Sequence, residues 1–244
     1  FFLTATESNV SAQAFAIFDV ESGEVLLAEN TDAVLPIASV TKLITAATLV
    51  KNTDLTQTGT VTVADVLTLG EAGQLTAGDV YSYRELLFPL LLESSNDAAV
   101  FFERETKGEV VKEMNQLAAA LGMEETSFSD ASGLNDSNVS TVADLMTFLT
   151  YLVEEEPYVL DITTLKQYVG PYSGHLNNNP VIGSDYQGGK HGYTVAANRT
   201  LVALFEEDFG EDKRTLGYVL LGSEDLAADT TKLRNFVAKE VTFK

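Results

Sequence analysis

A serine and a lysine three residues apart, in Ser39-Val40-Thr41-Lys42, are the residues of this chain best suited to covalent chemistry. On a helix, positions i and i+3 share a face with their Cβ atoms about 5–6 Å apart, so the Lys42 amine can reach the Ser39 hydroxyl. A serine hydroxyl is a weak nucleophile until a base takes its proton, and lysine is such a base when burial or a nearby cation, for which Lys190 is the candidate, lowers its pKa. The pair predicts acyl transfer through Ser39, although the same spacing also fits a helix cap followed by an exposed lysine.

A hydroxyl and an amide two residues apart, in Ser94-Ser95-Asn96, form the second candidate group. Ser94 could relay a proton between Lys42 and a leaving group, and Asn96 could hold either the substrate backbone or the lysine. The same residues suit a helix N-terminus, with Ser94 or Ser95 as the cap of the helix that follows. The two roles are compatible, so capping does not exclude catalysis.

The third group, Lys190-His191-Gly192, is predicted to lie just before a strand. Gly192 would allow a substrate to approach the backbone closely, and a strand edge could pair with an extended peptide. Lys190 would attract the terminal carboxylate of such a peptide. The alternative is a surface lysine in a glycine-rich turn, because Gly188 and Gly189 come directly before it.

Hydrophobic periodicity predicts a chain that opens and closes with sheet and carries helices between. Strands are expected in a hairpin within residues 12–29 and again at 199–206 and 214–222, and residues 165–189 are expected to be loop. The predicted helices cover residues 39–50, 83–92, 95–107, 109–121, 141–154 (capped by Ser140, with Asp144 in its first turn) and 225–240. This order predicts an α/β lobe from residues 1–50 and 186–244 and a helical lobe from residues 51–185.

Composition excludes several classes of function. The 244 residues carry a formal net charge of −21, which disfavours binding to nucleic acid or to anionic lipid. There is no cysteine, and no apolar run approaches the ~20 residues of a membrane span. The only histidines, His175 and His191, lack the spacing of a zinc site, and no Gly-x-Ser-x-Gly motif is present. We therefore expect neither a metal nor another cofactor.

Taken together, the three groups resemble the Ser-x-x-Lys, Ser-x-Asn and Lys-Thr-Gly signature of serine β-lactamases and penicillin-binding proteins. The chain is similar in particular to the D-alanyl-D-alanine carboxypeptidases of peptidase family S11, and the resemblance covers nearly its whole length. The stretches that carry it are PIASVTKLITA (36–46), LLLESSNDAAV (90–100), MNQLAAALGMEETSF (114–128), STVADLM (140–146) and GGKHGYT (188–194).

The resemblance implies a two-lobe β-lactamase-like fold and an acyl-enzyme on Ser39. The backbone N–H groups of Ser39 and Tyr193 would form the oxyanion hole, and Gly192, Tyr193 and Thr194 would line the substrate site beside His191. The substrate would be a peptidoglycan stem peptide ending in D-Ala-D-Ala, and β-lactam antibiotics would acylate the same serine. The family also implies an extracytoplasmic enzyme of the cell envelope. We expect a monomer, and we expect neither the extra β domain nor the membrane tail of some relatives in this chain.

His191 departs from the family pattern, which has threonine at this position. Imidazole is larger than a hydroxyl and titrates near neutrality, so we expect an altered preference for substrate or β-lactam, with acylation retained. Two alternatives stay open at this point. One is a class A β-lactamase, for which no convincing deacylating glutamate is found, and the other is a catalytically silent wall-binding module. Carboxypeptidase and endopeptidase action are not separated by the sequence.

Overall fold

A computed structural model describes residues 9–70, 75–210 and 212–241 of the chain. Its centre is a five-stranded antiparallel sheet with the strand order β2-β1-β11-β10-β9. The strands of this sheet are β1 (Ala14–Asp19), β2 (Val25–Glu29), β9 (Tyr186–Thr194), β10 (Asn198–Asp208) and β11 (Lys213–Ser223). The two ends of the chain therefore meet in one sheet, with β9 along one of its edges.

The sheet has an apolar core on each face, because side chains alternate along a strand. In β1, Ala14, Ala16 and Phe18 belong to one buried cluster, whereas Phe15 and Ile17 belong to the other. The second cluster is closed by the last helix of the chain, and the first is shared with the remaining helices. Every residue of β1 is buried, and all of them except the terminal Asp19 are apolar, so the strand does not alternate between apolar and polar residues.

Seven α-helices accompany the sheet in the described part of the chain. They are α1 (Thr41–Asn52), α2 (Tyr83–Leu92), α3 (Asn96–Glu105), α4 (Glu109–Ala120), α5 (Val142–Glu154), α6 (Pro157–Thr164) and α7 (Leu226–Glu240). Short antiparallel pairs join β3 (Leu35–Pro36) to β6 (Val139–Ser140), β4 (Thr58–Thr60) to β5 (Val80–Ser82), and β7 (Gln167–Val169) to β8 (Gly174–Leu176). Helix α2 begins with a full capping box in which Ser82 and Glu85 satisfy each other's backbone N–H groups.

The antiparallel sheet with flanking helices confirms the predicted fold class, and the predicted helix at residues 83–92 has the observed bounds. No helix in the described ranges is both long and apolar enough to cross a membrane. The division into lobes at residues 50 and 186 stays a prediction.

Three local predictions were wrong. Helix α5 is capped by Thr141, whose hydroxyl accepts from the Asp144 N–H at 3.0 Å, and not by Ser140. The predicted loop at residues 165–189 contains the hairpin β7–β8 and the first residues of β9. The group 190–192 was predicted to lie before a strand, but it lies inside β9, which pairs with β10. The glycines of this segment are more typical of a turn than of a strand, so the sequence pattern did not indicate it.

Candidate active site

Ser39 lies at the N-terminal start of α1, within a 3₁₀ turn that covers Ala38–Val40. The Lys42 Nζ atom donates to the Ser39 hydroxyl oxygen at 3.0 Å, so the two side chains meet as their spacing predicts. Ala38 has a φ of 49°, an uncommon conformation for a residue with a side chain. The turn thus holds the serine in a tight entry to the helix, with the lysine one turn further on.

Lys42 is completely buried, and its amine bonds to three neutral oxygens. Besides the serine, Nζ donates to Asn96 Oδ1 at 2.8 Å and to the carbonyl oxygen of Ser132 at 2.6 Å. Burial of a charged amine is unfavourable, and the positive charge of Lys190 adds to this, so the pKa of Lys42 is well below its usual 10.5 although Asp130 opposes the shift. Lys42 is therefore suited to accept the proton of the serine.

Asn96 connects the Lys42 amine to the backbone at Leu69. Its Oδ1 accepts from Lys42, while its Nδ2 donates to the carbonyl oxygen of Leu69 at 2.9 Å. Asn96 is the first residue of α3, and the helix is capped by Ser95, whose hydroxyl accepts from the Ala98 N–H at 3.0 Å. Of the two caps left open by the sequence, the structure selects Ser95, which leaves the hydroxyl of Ser94 outside the cap.

Ser94 has a left-handed backbone with a φ of 63°, and it is buried. A non-glycine residue in this region carries strain of roughly 1–3 kcal/mol and persists only where its surroundings impose it. Such strain is concentrated at functional sites. The surrounding structure therefore holds the connector between α2 and α3, residues 93–95, in its strained conformation.

The edge strand β9, which contains Lys190 and Gly192, lies on the other side of Ser39. Lys190 is buried, and its amine donates to the carbonyl oxygen of His191 at 2.8 Å. A Cβ atom on Gly192 would lie 2.5 Å from the Ser39 nitrogen and 2.9 Å from Thr200 Oγ1. Gly192 is therefore required by the approach of the Ala38–Val40 turn to the strand, which is a structural reason beside the close approach of substrate suggested by the sequence.

His191 is kept neutral by its surroundings. Burial, together with the charges of Lys190 and Lys42, lowers the pKa of its imidazole to about 2. Its Nδ1 is buried and has no hydrogen-bond partner within the described residues. The imidazole therefore does not titrate near neutral pH as the sequence led us to expect, and His191 presents a neutral ring.

The last two predicted residues lie where β9 turns into β10. Tyr193 is 58% exposed, and Arg199 lies over its ring at 5.3 Å from the ring centroid. The Thr194 hydroxyl accepts from the Ala197 N–H at 3.0 Å and so stabilises the turn. Tyr193 is the more accessible of the two, and Thr194 has a clear structural part as well.

The loop at residues 130–133 contributes directly to the site, although none of its residues is among the predicted site residues. The Asp130 carboxylate accepts from the N–H groups of Ser132 and Gly133 at 2.8 and 2.6 Å. This turn presents the Ser132 carbonyl to Lys42, and a Cβ atom on Gly133 would lie 1.9 Å from the Ala38 carbonyl oxygen. Every residue has a backbone carbonyl, so residue type could not identify Ser132 as a partner of Lys42. Only the turn-forming composition of residues 130–133 could have indicated a loop at this place.

Comparison with known proteins agrees with this geometry. The family described as D-alanyl-D-alanine carboxypeptidase, peptidase S11, matches residues 2–222. The D-alanyl-D-alanine endopeptidase of Haemophilus influenzae is 33% identical over 156 residues, which cover 62% of this chain and 53% of that protein. The D-alanyl-D-alanine carboxypeptidase DacB2 of Mycobacterium tuberculosis is 32% identical over 202 residues, 78% of this chain and 69% of that protein.

Among solved structures, penicillin-binding protein D2 of Listeria monocytogenes in its ampicillin-bound form is 30% identical and superposes with a TM-score of 0.81. The match covers 93% of this chain and 97% of the Listeria chain. By contrast, the chain spans about half the length of the first curated relatives that it matches. The similarity therefore extends over the whole fold described above and over only part of some longer relatives.

Proposed function

Because this chain belongs to the D-alanyl-D-alanine carboxypeptidase family, S11, we propose that it is a serine peptidase that removes the terminal D-alanine from peptidoglycan stem peptides. The single observation that carries the proposal is the hydrogen bond of 3.0 Å between the fully buried Lys42 Nζ and the hydroxyl of the half-buried Ser39. A nucleophile and a base with a lowered pKa, held in contact, are the minimum requirement for acyl transfer.

In the first step, Ser39 Oγ attacks the carbonyl carbon of the peptide bond while its proton passes to the neutral amine of Lys42. The negative charge that forms on the carbonyl oxygen needs donors, for which we propose the backbone N–H groups of Ser39 and Tyr193. The short approach between Gly192 and the Ser39 nitrogen supports this assignment, since it puts the backbone of β9 beside that amide.

Collapse of the tetrahedral intermediate expels D-alanine as an amine, which must receive a proton. Lys42 holds the proton taken from Ser39, and we propose that Ser94 passes it to the leaving nitrogen. Water then attacks the ester carbonyl on Ser39 and transfers a proton to Lys42, which returns it to the serine oxygen. Lys190 would attract the terminal carboxylate of the substrate, and His191 would contact it as a neutral ring.

The proposed partners follow from the same chemistry. A β-lactam carries a reactive amide beside a carboxylate, so it would acylate Ser39 as the peptide does, and the ampicillin-bound Listeria relative supports this. Action on peptidoglycan implies a location in the cell envelope. The monomeric state and the lobe boundaries at residues 50 and 186 stay predictions.

The test is intact-mass analysis after treatment with penicillin. We expect the mass of the wild-type protein to rise by that of one whole penicillin, because opening of the β-lactam ring expels no fragment, and we expect no change for Ser39→Ala. Ser22→Ala, which alters an exposed serine in the β1–β2 turn, is the matched control and should be modified like wild type. Rapid penicillin hydrolysis without a lasting adduct would favour a β-lactamase, and the absence of both would favour a silent binding module.

A second candidate is endopeptidase action on cross-linked peptides, because the Haemophilus relative is named a D-alanyl-D-alanine endopeptidase. The acylation step would be the same, and only the group that leaves would differ. Incubation with an uncross-linked pentapeptide and with a cross-linked muropeptide separates the two, since release of free D-alanine from the first alone indicates a carboxypeptidase.

A further inference from the structure

The strained connector between α2 and α3 is held by the segment that contains β8. His175 Nδ1 lies 3.0 Å from the Glu93 carboxylate, and because a carboxylate oxygen accepts, the imidazole donates. The Asn178 side-chain amide donates to the Glu93 carbonyl oxygen at 3.0 Å, and the Asn178 N–H donates to the Leu92 carbonyl oxygen at 3.0 Å. We call His175 and Asn178 the connector clamp.

The clamp is itself rigidly supported. His175 is 1% exposed, and its ring stacks on Tyr168 with an interplanar angle of 9°. Tyr168 in turn stacks on Phe88 of α2 at 3.6 Å between ring centroids. The Ser173 hydroxyl lies 3.4 Å from the other ring nitrogen of His175. The histidine therefore has contacts on both nitrogens and on its face, and it is fixed against the same helix whose end it holds.

The position of the clamp in the chain connects it to the cleft. Glu93 is followed directly by Ser94, whose φ is 63°, and by Ser95, whose N–H donates to the Pro89 carbonyl oxygen at 3.0 Å. Asn96 comes next and accepts from Lys42 at 2.8 Å. A displacement of Glu93 would therefore be transmitted within three residues to a partner of the proposed base.

We propose that His175 is a positioning residue for the acylation of Ser39, a role it performs with Asn178 by fixing Glu93 and hence the conformation of Ser94 and Asn96. The inference rests on the proposed function, because it assigns the clamp to that reaction. His175 does not take part in bond making. Its effect passes through Glu93 and the connector, so it acts on how well Asn96 and Ser94 meet Lys42.

The test compares second-order rates of acylation by a fluorescent penicillin. His175→Leu removes the donor and is expected to lower the rate roughly tenfold or more, because small displacements at a reacting centre have effects of that size. His175→Asn places an amide nitrogen as far from Cβ as Nδ1 is, and should restore most of the rate. Tyr172→Phe is the matched control. Tyr172 lies in the β7–β8 turn, and its hydroxyl forms hydrogen bonds of 3.2 Å with the Val80 backbone. This variant should react at the wild-type rate.

A combination with Asn96→Ala separates positioning from a general loss of structure. If the clamp acts through the connector, adding His175→Leu to Asn96→Ala should lower the rate much less than it does in wild type. Equal factors in the two backgrounds, or a wild-type rate for His175→Leu, would overturn the inference. If His175→Leu does not fold, Asn178→Ala serves as the second variant. It should lower the acylation rate several-fold and keep a melting temperature near that of wild type. An unchanged acylation rate for Asn178→Ala would contradict the role of the connector clamp. A wild-type protein that penicillin does not acylate would instead contradict the proposed function.

Discussion

The two faces of the sheet differ in how they accommodate a cationic side chain that is withdrawn from solvent, fully in the case of Lys42 and partly in the case of Arg234. In the cleft, Lys42 bonds only to neutral oxygens among its described hydrogen-bond partners, and its pKa is lowered. On the other face, Arg234 of α7 bonds to the carboxylates of Glu207, at 2.7 Å, and Asp185. We refer to the second group, Arg234 with Glu207 and Asp185, as the α7 cluster.

The α7 cluster keeps its charges because they are paired. Burial opposes the charged form of Arg234, but the hydrogen bonds to Glu207 and Asp185 outweigh it and raise the pKa of the guanidinium. Its guanidinium also lies over the Phe205 ring at 4.5 Å, and the Tyr218 hydroxyl donates to Glu207 at 2.9 Å. Each charge thus has opposite charge and hydrogen bonds around it, and this arrangement fixes α7 to the sheet.

The difference between the two regions separates the proposed catalytic base from a structural cation. A buried cation without a carboxylate partner loses its proton more easily, and an amine in that state can act as a base. A half-buried cation with two carboxylate partners, such as Arg234, holds its proton and contributes rigidity instead. The same substitution in each region should therefore change a different property of the protein.

Lys42→Met should have the largest effect on chemistry. Removal of a general base lowers the rate by about 10²–10⁴-fold, so labelling of Ser39 by a fluorescent penicillin should fall by that factor. The melting temperature should stay near that of wild type, because relief from burying an amine offsets the loss of its three hydrogen bonds. Labelling at a rate close to wild type would remove Lys42 from the role of base.

Arg234→Met should show the reverse pattern. Loss of the guanidinium leaves Glu207 and Asp185 without their partner, and we expect the free energy of unfolding in urea to fall by about 1.5–3 kcal/mol. The labelling rate of the folded protein should not change, because the cluster lies across the sheet from Ser39. A variant of wild-type stability would show that the ion pairs of the α7 cluster contribute little.

Lys190→Gln tests whether neighbouring charge sets the pKa of Lys42. The amine acts as a base only when neutral, so the labelling rate falls as pH decreases through its pKa. Removing the positive charge of Lys190 should raise the pKa of Lys42 and move this acidic limb to higher pH. Asp130→Asn is the control of opposite sign and should move the limb to lower pH. Coincident limbs in pH-rate profiles of the three proteins would contradict the electrostatic coupling.

His191→Thr should have the smallest effect. The pKa of His191 is lowered to about 2 from the ordinary 6.5, so the ring is neutral around pH 6.5 and its replacement should leave the pH profile there unchanged in shape. The labelling rate should change a few-fold between penicillins, because the contact beside the substrate carboxylate differs. Identical rates for all penicillins tested would end the proposal that His191 alters ligand preference.

Much of the site could be predicted because its parts depend on local geometry. The spacing of Ser39 and Lys42 places them together on any helix, and the helix at residues 83–92 follows from periodicity and from its capping residues. The strand containing Lys190 was misplaced, because a pair of glycines reads as a turn unless its partner strand is known. The partner strand, β10, follows β9 in the chain. The register in which the two strands pair is set by the whole sheet and could not be read from the local sequence.

The amino-acid sequence by itself determined the order of the three motifs, the contact between serine and lysine, and the family, since each depends on residue type and short spacing. Only the tertiary structure decided that Lys42 is fully desolvated, that the Ser132 carbonyl completes its hydrogen bonds, and that Gly192 lies against Ser39. The physical reason is that burial, backbone carbonyls and close approach of elements distant in the chain arise from packing, which no local pattern encodes.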